Sequence, residues 1–197
     1  MKISMVAALA AAAVCGSAMA GATFGVDGIT NNSVFSTNVG EAQLTIDVSG
    51  GPGTVVFLLQ NSGPDACSVA NVYFDDIGLL GSAVIGNGSG VNFEAGGSPP
   101  DLPGGSGIGF ITDQVFSARN PKPTNGVNAG ESLTLTFALL GGSSVADVVS
   151  AMNSGSLRVG MHVISFANGE SEGFVTPTPG SLALLGLGGL AAFRRRR

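Results

Sequence analysis

A chain of 197 residues with one histidine and two cysteines has too few soft ligands for an ordinary structural zinc site. No tryptophan and a single tyrosine leave it without the flat aromatic faces that carbohydrate-binding surfaces usually expose. The formal net charge of −5 hides a more acidic middle: all 13 carboxylates lie between positions 27 and 172, where only Arg119, Lys122 and Arg158 of the 8 basic residues fall, leaving that body at −10. Such a balance argues against nucleic acid as a partner, because phosphate affinity comes from lysine and arginine.

The chain opens with Met1-Lys2, an apolar run from Ile3 to Val14, and Ala18-Met19-Ala20 before Gly21. A short positive segment, a short apolar core and an A-x-A pattern define a secretory signal peptide over residues 1–20, cut between Ala20 and Gly21. The apolar stretch is too short for a spanning helix. Removal of Cys15 with this segment leaves Cys67 alone in an oxidising compartment, with no intrachain disulfide to form. Its plain reading is a small buried apolar residue, the alternative being an intermolecular bridge.

Residues 21–175 suffice for one domain with a proper core. Period-two alternation marks half-buried strands: Ala42, Leu44, Ile46 and Val48 against Glu41, Gln43, Thr45 and Asp47, and Leu133, Leu135, Phe137 and Leu139 against Ser132, Thr134, Thr136 and Ala138. Further β-rich runs are Thr54 to Gln60, Ser68 to Phe74, Leu79 to Ile85, Gly90 to Glu94, Ile108 to Ser117, Leu157 to Phe166 and Gly173 to Thr176. Clusters such as Ser49-Gly50-Gly51-Pro52-Gly53 and Gly86-Asn87-Gly88-Ser89-Gly90 supply turn chemistry between them. The longer connections 96–107 and 119–130, each with at least two prolines, are expected to cross between sheets. One helix is expected after Ser144, with Asp147 completing its cap, Val145, Val148, Val149 and Met152 forming its apolar stripe and Gly155 ending it. Most of the eleven phenylalanines sit in strand runs and read as core. The fold class is therefore all-β, an antiparallel β-sandwich of jelly-roll or Ig-like type, with one short helix, plus an N-terminal signal helix and a C-terminal hydrophobic helix.

Chemistry-bearing residues are sparse. His162 stands on a strand pattern with no G-x-S-x-G around any serine, so no Ser-His-Asp signature exists and a semi-buried structural role is the simpler reading. Asp75-Asp76, after a strand and before a glycine-containing turn, is the one place a calcium ion is considered, although adjacent strand residues point to opposite faces. Asp75 and Glu94 are the pair a carboxylate-dependent hydrolase would need in one cleft. No catalytic residue, metal ligand or cofactor is assigned.

The other end of the chain is the most informative. Pro177 and Pro179 deny backbone donors and favour extended geometry in Thr176-Pro177-Thr178-Pro179-Gly180. An uncharged run over 180–193 follows, about 21 Å long as a helix, and Arg194, Arg195, Arg196 and Arg197 stop it. That is short against the ~30 Å of a bilayer core, and the arginines belong on the cytoplasmic side. Pro-x-Pro, a short apolar helix and an arginine cluster, in that order, resemble the PEP-CTERM sorting signal read by membrane peptidases called exosortases. The resemblance covers Pro177 to Arg197, with Thr178 where the family usually has glutamate. It implies an exported protein of a Gram-negative, polysaccharide-producing bacterium, with signal peptidase and an exosortase-like peptidase as processing partners. It implies passage through the inner membrane on the C-terminal helix, then the cell envelope, surface or medium, with extracellular polysaccharide as a partner. The family shares the tail and no common catalytic function. The expectation is a non-enzymatic cell-surface or matrix protein, with a calcium-assisted carbohydrate-binding module as the alternative.

Overall fold

The computed structural model describes residues 21–177. The expectations for Ala18 and Ala20, and for Thr178, Pro179, Gly180 and Arg194 to Arg197, lie outside the described residues. In chain order the elements are β1 (Ala22–Phe24), β2 (Asp27–Gly28), α1 (Val34–Gln43), β3 (Leu44–Gly51), β4 (Thr54–Asn61), β5 (Ser68–Asp75), β6 (Leu80–Asn87), β7 (Phe93–Ala95), β8 (Gln114–Ala118), α2 (Lys122–Asn125), β9 (Ser132–Leu139), α3 (Val145–Ser154), β10 (Arg158–Ile164) and β11 (Glu172–Val175). They form two antiparallel sheets, in the orders β1-β3-β4-β9-β6 and β2-β11-β10-β5-β8-β7.

Alternation decides which side of each strand faces the partner sheet. On β9, Leu133, Leu135 and Phe137 are fully buried while Thr134 and Thr136 stay half-exposed, and β4 repeats the pattern with Val55, Phe57 and Leu59 inside. From the facing sheet come Val72 and Phe74 of β5, Phe116 of β8, and Val159, Met161 and Val163 of β10. The centre is aromatic. Phe74 meets Phe137 at 4.8 Å and Phe57 at 5.1 Å between centroids, and Phe116 meets Phe137 at 5.8 Å, all edge to face.

The expected helix forms as α3, with the full capping box between Ser144 and Asp147 and Gly155 closing it. A single helix, however, undercounts. The described residues hold three, and α1 replaces the first part of an expected strand: Glu41, Ala42 and Gln43 are its last turn, and the strand begins at Leu44. The buried positions of α1 are Ser36, Val39, Gly40 and Gln43, a helical spacing carried by small and polar side chains, so hydropathy shows no stripe. Its start is fixed from β11. The buried Glu172 carboxylate accepts from the Ser33 backbone N–H and the Thr30 hydroxyl, and the Ser33 hydroxyl caps the helix by accepting from Ser36 N.

Two other boundaries also shift. The Ile108–Ser117 run yields only β8, because Gly105–Ile108 is a 3-10 turn, and Gly90 to Glu94 yields β7 from Phe93. The connection over 119–130 does pass from the six-stranded sheet to the five-stranded one, between β8 and β9. The connection over 96–107 does not, since β7 and β8 are neighbours in one sheet. It lies as a strap over that sheet's outer face, where Leu102 and Phe110 bury Tyr73 and Val175 in a second, smaller core. Gly160 and Gly173 make this approach possible: a Cβ at Gly160 would run into Leu102, and one at Gly173 into the Pro103 carbonyl. Proline prevents this segment from joining a ladder, and the bare outer face of β5, β10 and β11 offers it an apolar bed.

Gly40 supplies a test of this packing. A methyl group there would overlap the Phe174 ring, which is fully buried. Helix propensity alone predicts that Gly40→Ala stabilises by about 1 kcal/mol. Overpacking predicts a net loss of about 1–3 kcal/mol, and we expect the loss, read as a lower denaturation midpoint at unchanged m-value.

Candidate functional site

The end of the sandwich where β11 finishes carries a buried ion pair and two cavities beside Pro177. Val175 pairs with Gly160 of β10 and with Asp27 of β2. Thr176 extends the ladder: its N–H donates to the Val159 carbonyl at 2.9 Å, its hydroxyl accepts from Val159 N at 3.1 Å, and it is buried. Pro177 then reaches the surface between two cavities. One of about 300 Å³ is lined by Asp27, Gly28, Ile29, Ile108, Arg158 and Val175, and one of about 230 Å³ by Ala22 to Gly25 and Asn153. Gly21 precedes β1, and Ala22 pairs with Val48 at this same end of β3. The first described residues and the last therefore meet.

Arg158 locks the end together. It is mostly buried and donates through Nε to Asp75 Oδ2 at 3.0 Å and through Nη2 to the same oxygen. Its remaining donors go to the strap, Nη1 to the Ile108 carbonyl at 3.0 Å and Nη2 to that of Gly109 at 2.6 Å, and its Cζ lies 5.1 Å from the centre of the Phe110 ring.

That arrangement settles what Asp75-Asp76 do. Asp75 is engaged by Arg158 and by Ile111 N–H, while the Asp76 carboxylate accepts from Leu79 N at 3.0 Å and Leu80 N at 2.8 Å, capping the turn into β6. Among the described residues no three His, Cys, Asp or Glu side chains gather as metal ligands. Glu94 is not brought to Asp75: β8 lies between their strands, and Glu94 pairs with Arg119 at 3.0 Å on the surface.

His162 stands on the outer face of the six-stranded sheet, between Asn71 of β5 and Gly173 of β11. Its Nδ1 is buried with no hydrogen-bond partner. The nearby polar network passes it by: Lys122 Nζ donates to Asn71 Oδ1 at 3.0 Å and to the Ser98 carbonyl, and Asn71 Nδ2 donates to Ser117 Oγ at 2.9 Å. Burial, and secondarily the Lys122 charge, hold the imidazole below its ordinary pKa, while burial lowers that of Lys122.

Cys67 is buried and free, and its sulfur accepts from Gln43 Nε2 at 3.0 Å and Asn61 Nδ2 at 3.5 Å. Burial pushes the thiol above its usual pKa, against the pull of those two amides. The same amides hold the loop after β4, through Gln43 Nε2 to the Asp65 carbonyl and Asn61 Nδ2 to that of Cys67, and Asn61 Nδ2 also reaches the Val127 carbonyl before β9. Sequence reading missed this network, as it missed Lys122 with Asn71 and Glu172 with Thr30. Their members are far apart in the chain, and no local pattern joins them. Comparison with protein-family models, with curated proteins and with solved structures finds no match to this chain.

His162 generates a pH prediction. Its folded pKa lies below the unfolded value of about 6.5, so the unfolded chain binds the proton first, and stability falls as pH drops from about 6.5 through the folded value. His162→Gln removes that loss. The Asp147 carboxylate, held low by Ser144, titrates in a separate and more acidic window. Thermal melts between pH 7 and pH 5 should converge in the variant and diverge in the parent; parallel curves would contradict the assignment.

Proposed function

We propose that this is an exported, non-enzymatic cell-surface or extracellular-matrix protein, released from its signal peptide at Gly21 and sorted through residues 176–197 by an exosortase-type peptidase. One observation carries the reading. β1 begins at Ala22, two residues past Ala20, and Thr176 is bonded into the ladder immediately before Pro177. Both ends of the described chain, next to the motifs this reading proposes for processing, lie at one end of the sandwich.

The non-enzymatic part rests on how the titratable groups are used. Asp75 and Glu94 are paired to separate arginines, the buried His162 Nδ1 has no hydrogen-bond partner among the described residues, and Cys67 is a buried thiol. For the sandwich type, strand order favours the Ig-like reading over the jelly roll. β6-β9-β4-β3 corresponds to the D-E-B-A sheet of an immunoglobulin sandwich and β5-β10-β11 to C-F-G, with β7 and β8 added beside C. A domain of this kind, acidic and fixed at one end, suits a role as a surface module in a polysaccharide-rich matrix.

Intact mass of the protein from host membrane, surface and medium fractions tests the reading. The expected species lacks residues 1–20, ends between Pro177 and Gly180 and lies outside the membrane. Pro177→Ala with Pro179→Ala should hold the chain in the membrane with its tail. Normal maturation of that double variant would reject sorting through Pro-x-Pro.

A further inference from the structure

The end of the sandwich that carries Pro177 also carries four of the large apolar side chains most exposed in the described residues: Ile77 at 64 %, Ile108 at 41 %, Ile111 at 69 % and Leu140 at 45 %. Local bonds bring them together at the end of the six-stranded sheet and the crossover beside it. Ile111 N donates to Asp75, the Ile108 carbonyl accepts from Arg158, and Ile77 sits in the turn that Asp76 caps. Leu140 N donates to the Leu79 carbonyl of that turn. Single exposed apolar residues need no explanation, but several on adjoining loops at one end do. Val34 and Phe35, also exposed, begin α1 beside Glu172, at the opposite end of β11.

Covalent reach selects the occupant. Thr176 is fixed in the ladder, and only Thr178 and Pro179 separate Pro177 from the uncharged run that opens at Gly180. At about 3.5 Å per extended residue, that leaves about 10 Å between this end of the domain and the start of the run. Resting on the membrane reading of the tail, we infer that Ile77, Ile108, Ile111 and Leu140 form a lipid-contact surface that seats the domain end-on against the bilayer interface while the tail is inserted.

The charges at this end are mainly acidic, Asp27 among them, and favour a zwitterionic lipid surface over an anionic one. Arg158 is turned inward onto Asp75, and the Asp76 and Asp113 carboxylates already accept backbone N–H groups. No described lysine or arginine projects from these loops to attract anionic headgroups. Contact is therefore made by apolar side chains entering the headgroup boundary, and it persists in high salt.

The absence of tryptophan from the chain makes a clean probe available. The chain from Gly21 to Arg197, which lacks the apolar N-terminal segment, carrying Ile111→Trp, and separately Ile77→Trp, is reconstituted into phosphatidylcholine vesicles with or without acyl-chain bromination, and Phe35→Trp serves as the control. Co-flotation with vesicles reports tail insertion independently of the fluorophore. The inference expects co-flotation, blue-shifted emission from the probes at 111 and 77, and bromolipid quenching several-fold stronger than at 35, unchanged by salt. Co-flotation with equal quenching at all three positions overturns this surface and leaves the tail reading intact. A blue shift without quenching that grows with protein density assigns the face to a second copy and also overturns it. Failure to co-float overturns both.

Discussion

The contact between Phe74 and Phe137 holds the two sheets in one relative position, and most of the remaining structure follows from it. A sheet pair sits about 10 Å apart, a gap that aliphatic chains fill from both sides but that a ring crosses nearly alone. With Phe57 and Phe116 added, four rings meet edge to face at the middle of the sandwich. Their size fixes the spacing and their geometry opposes sliding. Around them β4 and β9 supply one floor and β5 and β8 the other, and the smaller residues of β3 and β10 complete the layer. The strap and the helix α1 are additions to that frame, each covering a face the sandwich leaves open.

What could be read from the chain follows the same division. Where a strand has one face in the core and one in water, as at Leu133 to Leu139, the period of two is plain and the boundaries come out correctly. The α3 helix was equally legible because its cap, stripe and stop are all local. Elsewhere burial is achieved by residues that carry no hydropathy signal. Ser36, Gly40 and Gln43 face inward because a ring, a helix cap and an amide network await them, and nothing in their own chemistry announces it. The strap failed for a related reason: proline and glycine mark a connection, but whether it crosses between sheets or lies on one depends on which outer face is bare. The candidate site divides in the same way. Gly21 and Pro177 were readable as motif positions, whereas their meeting at one end of the sandwich depends on the register of β1 on β3 and β11 on β2.

The acidic character of the body has a structural side. Only two ion pairs join described residues, Arg158 with Asp75 and Arg119 with Glu94, and the second is exposed. The other carboxylates are satisfied chiefly by backbone N–H and hydroxyl donors, as at Asp76, Glu131, Asp147 and Glu172. Charge in this protein therefore shapes turns and helix starts more than it binds elements to one another, and the lone buried pair fastens the strap at the end where the tail departs.

That departure has a mechanical consequence. β11 is short, but it lies between β10 and β2, and Thr176 adds two further bonds to Val159. Tension entering through Pro177 runs along the axis of β11, so it shears the bonds on both sides together instead of opening them one after another. A load entering at Pro177 is therefore borne at once by the ladders on both sides of β11.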